Sequence, residues 1–245
     1  MRAKSLRRTT RSGRIFQCLA AALAFAAPCA SATEIAWIWP SSGAPASGYD
    51  EMAVVVESLV FQGTRSERTP RLLAFALPSG ARLTPVLHVQ SAADTGDTFS
   101  DAQRRSVLDA VDRHARESTS HWLQLDFEAP PRQREAYLAL VHDIRRRLPA
   151  GWRLSVTALA SWCTQGAWLD RIEADELVPM LYRLGPDADR WRARWSDPHS
   201  GLSPRCLTGA SGFSMQETPG ATSPVAGART YWFNALPWSP PSQRP

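Results

Sequence analysis

Along residues 33–238, short runs rich in β-branched and aromatic side chains recur, each ending in a turn or a helical stretch. Such runs lie at 35–39 (IAWIW), 53–63 (AVVVESLVFQG), 83–90 (LTPVLHVQ) and within 121–130 (HWLQLDFEAP). Others follow at 153–162 (RLSVTALASW), 176–185 (ELVPMLYRLG), 205–213 (RCLTGASGF) and 229–238 (RTYWFNALPW). Length and alternation make these strand candidates. Two segments between them follow the helical period instead. At 100–118, Ser100 and Gln103 form a capping-box pattern ahead of an apolar face of Val107, Leu108 and Val111. At 131–151, prolines open the segment, Pro149 and Gly151 close it, and Tyr137, Leu140, Val141 and Ile144 share one face. The arginines gathered late in that segment suit the helix dipole.

Strands alternating with helices predict a parallel sheet, and eight of them predict an α/β fold, a compact (β/α)8 TIM-type barrel. The chain is short for that fold, where about 250 residues is typical. No helical pattern follows Gly63 or fills the gap between Phe213 and Arg229, so some outer helices are expected to be short or missing.

Barrel strands point alternate residues inward and place functional groups at their C-terminal ends. In HWLQLDFEAP, that parity sends Leu123, Leu125 and Phe127 under the helices and Gln124, Asp126 and Glu128 towards the barrel mouth. Charge at the end of an apolar strand is costly unless something uses it. Two carboxylates about 7 Å apart along a strand raise one pKa through the other's charge, as acid–base chemistry requires. Two solvated charges opening a loop would give the same pattern. Other strand ends supply His88, Gln90, Met180, Tyr182 and Asn234, with Trp39, Trp162, Trp232 and Trp238 at or near such ends. Indole faces stack on sugar rings, although large aromatics also fill cores.

The N-terminus alters the electrostatic picture. Arg2, Lys4, Arg7, Arg8, Arg11 and Arg14 precede an apolar run and the sequence ASA at 30–32, the plan of a secretory signal peptide spanning 1–32. The run is too short to span a bilayer comfortably, so no stable membrane insertion is expected after its removal. The whole chain has 28 basic and 23 acidic residues, but six of the bases lie in that segment, which leaves the remainder near neutral. Bulk charge therefore gives no case for nucleic-acid binding. Lys4 is the only lysine, which excludes Schiff-base chemistry from the mature chain. Residues 33–238 are expected to form one exported, periplasmic or secreted domain, monomeric, with a disordered tail at 239–245. Cys163 and Cys206 remain after processing, to be joined as a disulfide or kept as separate buried thiols. No compact metal motif occurs and no cofactor is expected.

The segments LDFE, SVTALASWC, VPMLYRLG and YWFNALPW together resemble the bacterial family described as domain of unknown function 3142. That resemblance covers nearly all of the mature chain and implies a barrel without assigning an activity. A more distant resemblance is to family 18 glycoside hydrolases, the chitinase-like barrels. It implies that Asp126 and Glu128 match a D-x-E with an orienting aspartate and a general-acid glutamate. It also implies that Met180 and Tyr182 match an M-x-Y whose tyrosine holds the substrate, and that Trp238 or Trp232 floors the sugar site. His121 and Gln124 stand where the longer motif has further aspartates, Trp122 where it has glycine, and Arg183 where aspartate is usual.

The expectation is a glycoside-hydrolase-like protein acting on a polysaccharide, possibly N-acetylated. Glu128, Asp126 and Tyr182 would be catalytic, and Trp39, His88, Gln90, Trp162, Met180, Asn234 and Trp238 would bind substrate. A catalytically inactive carbohydrate-binding barrel is the alternative from another class. Metal-dependent hydrolysis through His88, Asp126 and Glu128 is a third.

Overall fold

The computed structural model describes residues 32–40, 48–72, 76–164, 166–197, 199–218, 221 and 228–234. Most of the expected leader, Trp238 and the Pro-rich tail lie outside the described residues. Eight parallel strands close a barrel: β1 (Thr33–Ile38), β2 (Glu51–Gln62), β4 (Arg82–Ser91), β5 (Trp122–Phe127), β6 (Arg153–Leu159), β7 (Glu176–Met180), β8 (Ser211–Ser214) and β9 (Arg229–Phe233). β9 pairs with β1 and β1 with β2, which leaves the ring without an edge. A ninth strand, β3 (Arg65–Pro70), folds back antiparallel on the outer end of β2. Its sequence, RSERTP, is polar and largely exposed, so no apolar alternation marks it.

Outside the ring, α1 (Asp101–Ala115) and α2 (Arg134–Arg147) cover β4 and β5, and Ser100 and Gln103 complete the capping box. The later crossings are slighter. Two 3-10 turns (Ala160–Thr164 and Gly166–Arg171) follow β6, and α3 (Ala188–Ser196) and the single turn α4 (Pro204–Leu207) follow β7. Leu123, Leu125 and Phe127 pack outward against Tyr137, Leu140, Val141 and Ile144 of α2. Burying a side chain of that size removes roughly 1.5–3 kcal/mol of apolar exposure. Cys163 and Cys206 are bonded in this outer layer, Cα atoms 5.9 Å apart, tying the turn after β6 to α4.

Inside, Ile35, Ala53, Val86, Val178 and Tyr231 fill the ring. Buried polar residues close its lower end. The Arg229 guanidinium donates to both oxygens of Glu51 at 2.6 and 3.1 Å, lies 3.2 Å from Glu176 and stacks 4.4 Å above the Trp122 ring. Pairing of this kind is what allows two carboxylates to be buried. With the lower end filled by these side chains, the strand ends open a pocket at the C-terminal mouth.

Candidate functional site

At that mouth lies a pocket of about 710 Å³, within the range of small-molecule sites. β5 places Asp126 in it because the strand keeps its alternation to the end, with Gln124 and Asp126 inward and Leu125 and Phe127 outward. Glu128 follows just beyond the strand, on the rim, before Pro130 and Pro131 turn the chain towards α2.

Asp126 is 3% exposed and both its oxygens are engaged. One accepts from Thr157 Oγ1 on β6 at 2.7 Å, and the other accepts from His88 Nδ1 on β4 at 2.7 Å. With Nδ1 donating to a carboxylate, neutral His88 carries its lone pair on Nε2. Glu128 opens to solvent at the rim, yet protein crowds it enough to remove much of its hydration. Burial, and then the negative charge of Asp126, push its carboxyl above the ordinary 4.5, while His88 and Arg183 pull it down. The two carboxylates of one strand therefore differ, one hydrogen-bonded and enclosed, the other biased towards its protonated form.

Tyr182 stands across the mouth. Its ring lies flat on Phe233, 5.0 Å between centroids at 11°, and its hydroxyl contacts Met180 Sδ at 3.4 Å. Burial, reinforced by Asp126 and Glu128, raises the phenol well above its usual range, so it remains a hydrogen-bond donor. Trp39 completes the wall, edge-on to His88 at 5.2 Å and to Phe233 at 6.0 Å. The pocket thus combines an aromatic floor, one carboxyl whose pKa is raised by burial and by Asp126, and one fixed carboxylate–imidazole pair.

Of the residues expected at the site, the pocket brings together Glu128, Asp126, Tyr182, Trp39, His88, Gln90 and Met180. Trp162 is a correction. The chain leaves β6 at Leu159 and coils into a 3-10 turn, which drives Trp162 into the outer core, 5.7 Å from Tyr137 and 4.9 Å from Trp168. Asn234 is buried, accepts from Gln216 and does not line the pocket. Trp232 also faces outward, donating its Nε1–H to Glu34 and packing on Phe213. Thr157, whose inward position follows from extending the same parity to β6, joins the site through its bond to Asp126. Arg183, Phe233 and Trp191 also line the pocket without having been expected there. Phe233 obeys the parity of β9, whereas Trp191 comes from α3, where no strand rule applies. Among the described residues, no three His, Cys, Asp or Glu side chains converge as a metal site, His88, Asp126 and Glu128 included.

No known protein family matches the chain, and no curated protein matches it in sequence. The resemblance to domain of unknown function 3142 is therefore not shown by that comparison. Among solved structures, the Bacillus cereus spore cortex-lytic enzyme SleL is similar at a TM-score of 0.43 and 15% identity, over 76% of this chain and 50% of that one. This chain spans about half the length of that enzyme.

Proposed function

We propose that this barrel is an exported glycosidase acting on a polysaccharide, with Glu128 as general acid. The observation that carries the reading is the unequal carboxyl pair of β5. Glu128 is biased towards its protonated form on the rim, while Asp126 is held by His88 and Thr157 beneath it. Glycoside cleavage asks for that division: a carboxyl able to protonate the departing oxygen beside a charge that steadies the developing oxocarbenium.

In this mechanism the sugar ring rests on the aromatic floor of Trp39, Tyr182 and Phe233, its glycosidic oxygen directed to Glu128. Glu128 gives its proton to that oxygen as the bond to the anomeric carbon breaks. The Tyr182 hydroxyl donates to the substrate, and its raised pKa keeps that proton in place. If the sugar is N-acetylated, its own carbonyl closes on the anomeric carbon, and Asp126 and His88 orient and stabilise the resulting ring. Water then restores the sugar, returning a proton to Glu128. Gln90, on the exposed side of the pocket, contacts a neighbouring sugar.

One observation favours a binding barrel without turnover. Both oxygens of Asp126 are already satisfied by protein, which suits a rigid recognition site as well as a reacting one. Reducing-end release from chitin-, glucan- and galactosaminoglycan-type oligomers separates the two readings when measured alongside tryptophan fluorescence. Saturable quenching with product formation supports the enzyme, and quenching without product supports the binder. Flat titrations with every oligomer and no product count against both.

A further inference from the structure

We infer that the pocket selects glycans bearing an anionic group, and that the Arg183 guanidinium receives it; this rests on the glycan reading of the mouth. Arg183 is held where an L-residue rarely sits, at φ 53°. It follows Tyr182 directly and lines the same pocket as Glu128. Glu217 fixes the unusual backbone by accepting its N–H at 2.7 Å, so the nearby carboxylate holds the main chain rather than the side chain. The guanidinium projects over the Phe233 ring, 5.4 Å from its centroid, on the floor already shared with Tyr182.

Several arginines elsewhere in the fold are matched to acids, Arg68 and Arg113 to Glu57, Arg104 to Asp143, Arg147 to Asp112, Arg171 to Glu135 and Arg229 to Glu51, whereas Arg205 is spent on the Ile172 and Ala174 carbonyls. Arg183 has no such ion pair among the described residues, and the acids of the mouth leave it uncommitted. Asp126 is engaged by His88 and Thr157. Glu128 feels the charge of Arg183 without forming an ion pair with it. A strained backbone that holds a free cation on an aromatic floor beside an acid group is a feature of recognition sites. A guanidinium fork suits a planar or tetrahedral anion far better than it suits a neutral hydroxyl. Carboxylate, sulfate and phosphate share that chemistry.

The test compares ligands that differ only in charge. Affinities of the full protein for chitotetraose and its 6-O-sulfated form are measured by fluorescence, with a hyaluronan tetrasaccharide set against its carboxyl-reduced form. At least one anionic member should bind about fivefold or more tightly than its neutral counterpart at low salt, a preference that shrinks as salt screens it. Whichever pair shows the preference identifies sulfate or carboxylate as the group. In Arg183→Gln the ratio should fall to near one. Arg183→Gly, whose backbone accepts the positive φ, should behave alike, with thermal unfolding confirming that both variants fold. Equal affinity within both pairs overturns the inference while leaving a glycan site standing, and so does a preference that survives both variants. Failure of all four ligands to bind overturns the inference and the glycan reading together.

Discussion

His88 and Asp126 face each other directly across β4 and β5, as Cα partners in the parallel register, with a 2.7 Å bond from Nδ1 to the carboxylate. Thr157, two strands from His88, secures the second carboxylate oxygen. Three adjacent strands thus contribute one residue each to a single hydrogen-bonded unit, which fixes the imidazole tautomer and prevents the carboxylate from swinging. Because Glu128 lies two residues beyond Asp126, that fixed charge acts on it from a constant position.

Asp126→Asn should therefore change two neighbours at once. The amide carries no charge, so the Glu128 carboxyl should titrate at a lower pH, closer to its ordinary 4.5. His88 loses the carboxylate that selects its Nδ1–H form, and its ring should populate both tautomers. Carbon-detected titration of glutamate carboxyls and nitrogen shifts of the imidazole read these separately. An unmoved Glu128 titration in a folded Asp126→Asn protein would show that burial alone sets it. Glycan turnover, where present, should fall by at least about tenfold, as for loss of a group that acts through its charge.

Glu128→Gln keeps the shape and a hydrogen-bond donor but cannot transfer a proton. Turnover should drop about 10²-fold or more, with binding retained. The raised pKa also sets the direction of the pH profile. A general acid works while protonated, so activity should decline as pH rises through a value above 4.5. Stability follows the same sign: a carboxyl whose folded pKa lies above its unfolded one favours folding below the unfolded value, a contribution lost as pH rises through the folded value. Glu128→Gln, having no such group, should lack that decline. Full turnover by this variant would leave only the binding barrel.

Much of this site can be read from alternation alone. The β-rich runs overlap all eight barrel strands, and period-2 patterning correctly divides Leu125 and Phe127 from Asp126. Alternation does not tell where a strand ends, however. The run at 153–162 keeps its β-rich character past Leu159 while the backbone has already coiled, so Trp162 moves from the mouth to the outer core. The same ambiguity affects 205–213, where Pro204 starts a helical turn and only Ser211–Ser214 form the strand. Arg183 escaped because its position depends on a left-handed backbone fixed by Glu217, 34 residues away. A contact at that separation leaves no local pattern.

The disulfide adds a stability prediction independent of function. Cys163 and Cys206 are 43 residues apart, and closing a loop of that size lowers the entropy of the unfolded chain by about 4 kcal/mol on the chain-entropy account. The Cys163→Ala/Cys206→Ala double variant should unfold at a distinctly lower denaturant midpoint. Alkylation of the folded wild-type protein without reductant should add no mass at either position. Two modified thiols in a natively folded sample would contradict the pairing.

Beneath the outer layer, Glu57 offers a pH test that lies away from the site. It sits where the register of β2 shifts, its side chain fully enclosed, and it accepts from His114 Nε2 at 2.8 Å, Arg113 at 2.9 Å and Arg68 at 2.5 Å. Burial alone would raise its pKa, but the bonds from His114, Arg68 and Arg113 together outweigh that and hold the carboxyl below 4.5. A depressed pKa contributes stability above the unfolded value, and that contribution is lost as pH falls from about 4.5 through the folded value. Glu57→Gln leaves three donors of β3 and α1 facing an amide that cannot balance their charge. It should lower stability at neutral pH, though by less than the loss of a fully buried ion pair, because Arg68 and Arg113 keep part of their hydration. Denaturant midpoints measured from pH 7 down to pH 3 should therefore converge for the two proteins as acid removes the wild-type advantage. Parallel midpoints across that range would mean that Glu57 ionises no more readily folded than unfolded.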